Sequence, residues 1–339
     1  MKKNILLLIN GFGIEQADSV NVYDEKLMPN MDRLTKEKLF ASLASKDLDY
    51  KDGYRKFSIG INESLTYSIV ENSLSNDSYK NNQLLKYIES KTNMGENRLH
   101  IFCYWENDRT ISQLSTFLKE IVLYTNHMIY VHLILCQLSL TVYKSVERSL
   151  TLLNYELGNT VKIGIVTGES NLDNILIFRD VIKTFVTEAG EKWKDLTKKV
   201  DVLKQTKTIP NRTRTFAVNT GFAINPGDQV FFFNYSNVDV NKFMTELENQ
   251  KYRQLDTTRI DYYSLFPVKS NKKIPFMYNY AVSSTYTASA LKTIGAKCLL
   301  IDLKEKCPYI NYYLTGLRNN IDENIKYMAS DSGFIYEPN

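Results

Sequence analysis

Arg98-Leu99-His100-Ile101-Phe102-Cys103-Tyr104 is an almost unbroken apolar run, and the two segments after it decide the fold. Residues 111–124 carry the spacing of an amphipathic helix, and residues 127–135 form a second apolar run. Apolar runs without alternation belong to strands buried on both faces. A strand, a helix and a strand in that order predict two parallel strands joined by a crossover helix.

The same rhythm extends outward. Residues 84–88 are helical in pattern, 142–157 predict a helix, 161–166 a strand and 176–188 a helix. Gly227-Asp228 reads as a turn before a buried strand at 229–233. Residues 288–294 predict a helix, and 298–303 and 310–314 predict strands. Upstream, residues 47–77 are polar and irregular and read as a loop or hinge. Ile5-Leu6-Leu7-Leu8-Ile9 is a buried strand closed by Asn10-Gly11-Phe12-Gly13. A helix over 28–34 has Pro29 in its first turn, where its missing N–H costs nothing. With a strand at 39–43 this makes a β-α-β unit. The chain therefore divides into residues 1–79, the β-α-β unit and hinge, and residues 80–339, an α/β domain with a mostly parallel sheet.

Composition narrows the function. The chain has 339 residues, 43% of them hydrophobic and 24% charged, enough to bury a substantial core. A net charge of +4 is small for this length and comes without basic blocks, which argues against nucleic acid or a membrane surface as partner. Cys103, Cys136, Cys298 and Cys307 form no C-x-x-C pair and read as buried reduced thiols. The apolar run after Met1-Lys2-Lys3-Asn4 is too short for a signal peptide or a membrane span. A cytoplasmic protein without membrane insertion is expected.

Asn4-Ile5-Leu6-Leu7-Leu8-Ile9-Asn10-Gly11-Phe12-Gly13, followed by Met28-Pro29-Asn30-Met31-Asp32-Arg33-Leu34, resembles the opening of the cofactor-independent phosphoglycerate mutases, where a strand ends D-G-x-G before a T-P-N-x-D-x-L helix. The resemblance continues at Arg98-Leu99-His100-Ile101, Ile129-Tyr130-Val131-His132 and Lys162-Ile163-Gly164-Ile165-Val166-Thr167-Gly168. It returns at Gly227-Asp228-Gln229-Val230-Phe231-Phe232-Phe233-Asn234-Tyr235 and at Lys304-Glu305-Lys306-Cys307-Pro308-Tyr309, similar to the family's D-x-V-x-F-F-N-F and T-E-K-Y-A-H. These landmarks keep family order and spacing. The resemblance implies a remnant of an alkaline-phosphatase-like domain joined to a phosphotransferase domain of the phosphoglycerate-mutase type. It also implies two metal ions and a serine nucleophile in the first, and an Arg-rich pocket in the second.

This sequence departs from the family where the chemistry lies. Asn10 stands where the resemblance places the first metal-binding carboxylate, and an amide brings no charge to a hard cation. Ser58 is the vestigial equivalent of the nucleophile, without the family's G-N-S-E-V-G-H around it. Ile111 replaces a substrate His, Cys136-Gln137-Leu138-Ser139 replaces D-G-R-D, Glu169 replaces an Arg, and Ser236-Asn237-Val238-Asp239 replaces R-x-D-R. Only Lys306 remains of the cationic set, and one ammonium does not clamp a phosphoglycerate as several guanidinium forks do. Glu337-Pro338-Asn339 falls where the inserted domain would hand back to the phosphatase domain that supplies the other metal ligands. The three histidines, His100, His127 and His132, are too few to replace those ligands, and His100 and His132 read as hydrogen-bonded core imidazoles.

The expectation is a non-catalytic pseudoenzyme with no cofactor and no metal site, acting as a structural or adaptor subunit of a larger protein assembly. A cytoskeletal or motor-associated complex is one candidate home. A strand at 5–9 without its sheet neighbours is either refitted, with its β-α-β unit, onto the phosphotransferase-type domain or docked against a partner protein, and the second is the expectation. The 23 tyrosines suit contact surfaces, although an AT-rich coding bias accounts for them equally well. Two alternatives stand beside this. One is a sensor that holds a phosphorylated metabolite through Lys306, and the other is mutase activity regained with a separate chain.

Overall fold

The structure is a computed structural model, and it describes residues 29–37, 65–93, 97–124, 128–137, 160–173, 175–235, 238–249, 255–279, 286–296, 298–303, 314 and 325–330. In chain order, α1 is Pro29–Glu37, α2 Leu65–Ser75, α3 Gln83–Asn93, β1 Leu99–Trp105, α4 Asp108–Tyr124 and β2 Ile129–Leu135. Next come β3 Val161–Gly168, α5 Ser170–Asp173, α6 Ile175–Thr187, α7 Leu196–Gln205, β4 Phe216–Ala217 and β5 Gln229–Phe233. The remainder is α8 Asn241–Glu248, β6 Asp261–Ser264, α9 Thr287–Thr293, β7 Cys298–Leu303 and β8 Ile325–Ser330. The expected strands at 5–9 and 39–43 and the helix at 142–157 lie outside the described residues. Of the expected strand at 310–314 only Leu314 is described, and it is helical.

Six strands form one sheet in the order β4-β3-β2-β1-β5-β6, all parallel except the two-residue edge strand β4. The mixed α/β architecture with a mostly parallel sheet is thus as the apolar runs predict. The chain lays down β1, β2 and β3 in one direction, then crosses back to place β5 and β6 on the other side of β1. Leu99 is in register with both Ile129 and Gln229. A crevice opens where such a crossover reverses, at the carboxyl ends of the central strands.

Every residue of β1 and β2 is buried, so helices must cover both faces. One face stacks Ile101, Cys103, Val131, Leu133, Phe231 and Phe233 against α2, α3 and α4. Ile111, Leu114, Phe117, Leu118 and Ile121 of α4 recur three and four apart and are all buried. Phe117 lies against Phe231 with ring centroids 5.3 Å apart, and burying one such ring stabilises by about 1.5–3 kcal/mol. The opposite face places Phe102, Tyr130, Ile134, Val230 and Phe232 under α6 and α8.

Two local departures matter for the site. The polar stretch at 47–77 does not end as a loop. Tyr67, Val70 and Leu74 repeat three and four apart and fold as α2, with Tyr67 and Val70 buried in the sheet's own core. In addition, the β2–β3 register runs to Val131↔Ile163 and resumes at Leu133↔Val166, so β3 carries one extra residue. Gly164 and Ile165 together stand opposite His132, and a glycine inside a strand marks such a bulge. A separate parallel pair, β7 and β8, aligns Cys298 with Ile325.

Candidate functional site

The crevice beside the ends of β1 and β5 is filled from within the chain. Tyr67 of α2 stacks on Tyr235, which lies just past β5, with centroids 3.9 Å apart and planes 13° from parallel. The Tyr67 hydroxyl lies 3.2 Å from the Glu106 carboxylate, to which it donates, and 2.9 Å from the Thr110 hydroxyl. Tyr235 donates to the side-chain carbonyl oxygen of Gln113, and the Gln113 amide donates to the Tyr67 main-chain carbonyl at 3.2 Å. With the stacked rings, these bonds close a ring of three side chains. Tyr67, Gln113 and Tyr235 are 3%, 6% and 1% exposed, so solvent does not enter between them. Burial raises the Tyr235 phenol well above its ordinary value, which keeps it a neutral donor.

The start of α4 faces the same crevice, and free N–H groups at a helix start are where a phosphate would bind. Here the Asn107 side chain accepts from the N–H groups of Arg109 (2.9 Å) and Thr110 (3.3 Å). Asn234, next to Tyr235, uses both ends of its amide on the main chain of Phe266. The groups gathered here are two phenols, three carboxamides, a hydroxyl and one carboxylate. This set offers an anion no positive charge.

Farther along the same sheet edge, past β2 and β3, some buried polar atoms have no partner among the described residues. They are both amide atoms of Gln137, Asn211 Oδ1 and Thr213 Oγ1, with Trp105 Nε1 at the end of β1. The chain is tight there: Asn211 N–H donates to the Gln137 carbonyl at 3.0 Å, and Gly168 N–H donates to the Thr213 carbonyl at 2.8 Å. A Cβ on Gly168 would stand 2.2 Å from the Asn211 carbonyl oxygen, so only glycine fits.

At the opposite end of the sheet, alternation along β1 and β2 brings His100 and His132 onto one face, and both are fully buried. The Ile165 N–H, displaced from the ladder by the bulge, donates to His132 Nδ1 at 3.3 Å. His132 Nδ1 is therefore bare, and its proton sits on Nε2, 3.1 Å from His100 Nδ1. His100 in turn carries its proton on Nε2 and donates to Asp228 Oδ2 at 3.2 Å. Asp228 also accepts from the Arg98 side chain (2.7 Å), the Arg98 main chain (3.0 Å) and Asn225 N–H (2.7 Å). Burial pushes both imidazoles down, His132 furthest, so both are neutral at pH 7. Burial works to raise the Asp228 carboxyl, but hydrogen bonds from His100 and Arg98 outweigh it and hold the group down to about 2. An Asp–His pair of this kind orients the base of a hydrolase when a nucleophile stands beyond the imidazole. In this chain a second imidazole and then a main-chain amide take that place, so the relay serves the sheet.

Asn10, Ser58, Lys306 and His127 lie outside the described residues, as do Leu138, Ser139, Ser236 and Asn237. Ile111 is buried in the first turn of α4. Glu169 is half-buried after β3, its N–H donating to the Leu135 carbonyl at 2.9 Å. Asp239 pairs with Lys269 at 3.1 Å. Cys103 is buried and Cys136 half-buried, both as free thiols. Among the described residues no group of His, Cys, Asp and Glu is arranged to hold a metal ion. The crevice residues Tyr67, Glu106 and Gln113 carry no motif; the spacing of Tyr67, Val70 and Leu74 is the one signal in the sequence that points to them.

No protein-family model matches the sequence, and no curated protein matches it. Among solved structures, the chain is similar to a phosphoglycerate mutase of Leishmania mexicana crystallised at low cobalt concentration, with a TM-score of 0.67 and 14% identity. The match covers 96% of this chain and 66% of that one, so the chain spans about two thirds of the enzyme's length. The fold is phosphoglycerate-mutase-like. At this identity the likeness speaks for the fold, and function rests on the site.

Proposed function

We propose that this phosphoglycerate-mutase-like chain is a pseudoenzyme that serves as a structural or adaptor subunit of a larger protein assembly. One observation carries the reading: the crevice where such a fold would take its substrate is occupied by the stacked Tyr67–Tyr235 pair and the Glu106 carboxylate. A phosphoryl group in that space would displace two buried rings and meet a negative charge, with no cation in the ring to offset it. The sheet, in contrast, keeps a complete apolar core, which fits retention of the fold for contact with other proteins. No helix among the described residues is long and apolar enough to cross a membrane.

The reading is tested by purifying the tagged chain from its native host, together with a coupled mutase assay containing manganese, with and without host extract. Co-purification with stoichiometric protein partners and no turnover is the expected result. A free monomer, or turnover in either assay, contradicts it. The amide of Gln137, which has no partner among the described residues, lies beside Asn211 and favours a second reading, a sensor that holds a small ligand at the crevice edge. Calorimetry with 2- and 3-phosphoglycerate addresses it, and no heat at millimolar ligand removes the phosphorylated-metabolite form of that idea.

A further inference from the structure

The His100–His132 relay holds as many protons as its junctions accept and no more. Between Ile165 N–H and Asp228 lie four ring nitrogens, two bare and two protonated, and every junction pairs one donor with one acceptor. Add one proton, and the mismatch cannot be absorbed. A proton on His132 Nδ1 faces the Ile165 N–H directly. A proton on His100 Nδ1 faces His132 Nε2–H, and if His132 then shifts its own proton to Nδ1, the clash moves to Ile165 again. The misfit therefore settles at the bulge, because the Asp228 end is a carboxylate that only accepts.

The surroundings leave the pair no other outlet. Phe102, Phe185 and Phe222 contact the His132 ring from β1, α6 and the loop before β5. Gly164 lies so close that a Cβ there would be 2.5 Å from His132 Cε1. Around the pair are Arg98 on the β1 side, Asp228 before β5 and Tyr130 on β2, whose ring stacks on His100; Glu188 after α6 acts on Tyr130, and Lys162 of β3 is in register with Tyr130. Arg98 is engaged with Asp228 and the carbonyls of Gly221 and Ala223, and Glu188 accepts from Ala223 N–H at 2.8 Å.

We propose that this relay is an acid-sensitive latch on the β3 bulge: an extra proton on the histidine pair releases Ile165 N–H and lets the next segment, Val166 to Gly168, change its register against β2. That segment ends at the crevice edge, where Gly168 N–H holds the Thr213 carbonyl at 2.8 Å. Proton uptake at one end of the sheet would thus loosen the other through a single strand. Two discrete pairings of one strand are the kind of bistable element such coupling needs.

The test uses the isotope-labelled full-length chain carrying His127→Gln, so that the relay holds the remaining imidazoles. Ring-nitrogen NMR at neutral pH should find His132 protonated on Nε2 alone, and the same for His100. Amide exchange, corrected for its intrinsic pH dependence, is then measured from about pH 7 to about pH 5. Protection at Ile165 and Gly168 should fall by ~10-fold per pH unit below ~6.5, through an opening that costs less at every pH than global unfolding. Ile101 and Val131 report that global unfolding, and their protection follows the stability of the whole chain. The non-titrating His132→Gln takes away the imidazole next to Ile165 and leaves His100 as the relay's one titrating ring, so it should weaken that pH dependence. Protection at Ile165 that is flat with pH overturns the proposal, as does an opening free energy at Ile165 equal to that of Ile101 and Val131 throughout the range. Should His132→Gln not fold, the tautomers and exchange of the parent chain decide the matter alone.

Discussion

Tyr67 and Tyr235, which come from opposite sides of the sheet's crossover in sequence, lie ring on ring at 3.9 Å. The contact joins α2, which precedes β1, to the end of β5. It converts a segment of ordinary polar sequence into the cover of the crevice. Because both hydroxyls are also hydrogen-bonded, the pair is fixed in position as well as packed.

Tyr67→Ala should therefore lower stability by about 3–5 kcal/mol, the range for deleting a large buried ring. Tyr67→Phe should cost only about 1–2 kcal/mol, since it keeps the stack and removes hydrogen bonds. A double-mutant cycle with Tyr235→Leu should give a coupling of about 0.5–1.5 kcal/mol in urea denaturation. Zero coupling would mean that the stack contributes nothing of its own.

Acid should destabilise the chain in two stages. The folded-state pKa values of His100 and His132 are depressed, so their contribution is complete above the unfolded value of about 6.5 and is lost as pH falls below it. Each histidine should then remove ~1.4 kcal/mol per pH unit until the folded protein also takes up the proton. Asp228, held down to about 2, keeps its contribution above its ordinary value of 3.8 and loses it between those two values. Denaturation midpoints measured at intervals from neutral to strongly acidic pH should show both breaks.

Arg98→Leu removes the fork that holds Asp228 at 2.7 Å and leaves a carboxylate that is 3% exposed with fewer donors. Breaking a buried pair from one side typically costs about 3–5 kcal/mol. The same variant should raise the Asp228 pKa and move the lower acid break upward. A variant as stable as the parent would show that the ion pair is not needed.

Gly164→Ala and Gly168→Ala should both destabilise, and the second more. At Gly164 the added carbon meets a His132 ring atom at 2.5 Å, and a side chain can shift. At Gly168 it meets main-chain atoms of Asn211 at 2.2 and 2.4 Å, and main chain held by hydrogen bonds cannot. The first is expected to cost about 1–3 kcal/mol, as overpacking does. Thermal melts that rank them the other way would contradict the close packing of β3 against 211–213.

How much is legible in the residues alone has a physical division. β1, β2, β3 and β5 are buried on both faces, so their apolar runs carry no ambiguity, and α4 displays its stripe openly. β4 is Phe216-Ala217 and β6 is Asp261-Tyr262-Tyr263-Ser264; strands so short, the second also largely polar, exist only because a neighbour supplies the ladder. α7 escapes a reading by pattern although Leu196, Val200 and Leu203 recur at helical spacing, because Lys198, Lys199 and Lys204 dilute the stripe. At the site, His100 and His132 are legible as core imidazoles, since both fall on inward positions of apolar runs. Their order of protons is not, because it depends on a bulge, and a bulge is a property of two strands in register. The Tyr67–Tyr235 contact is hidden for a related reason: it spans a crossover that no local pattern encodes.

The placement of β1 has a kinetic consequence. One of its edges pairs with β2 across a short helical connection, but its other edge waits for β5, whose entry residue Asp228 lies 130 positions from Arg98. Contacts between distant chain positions form late, since a long loop must close first. Until that closure, the chain carries a half-sheet with a bare apolar flank, and refolding yield should fall with rising protein concentration. The strand at the middle of the finished sheet would be, for that interval, an exposed border.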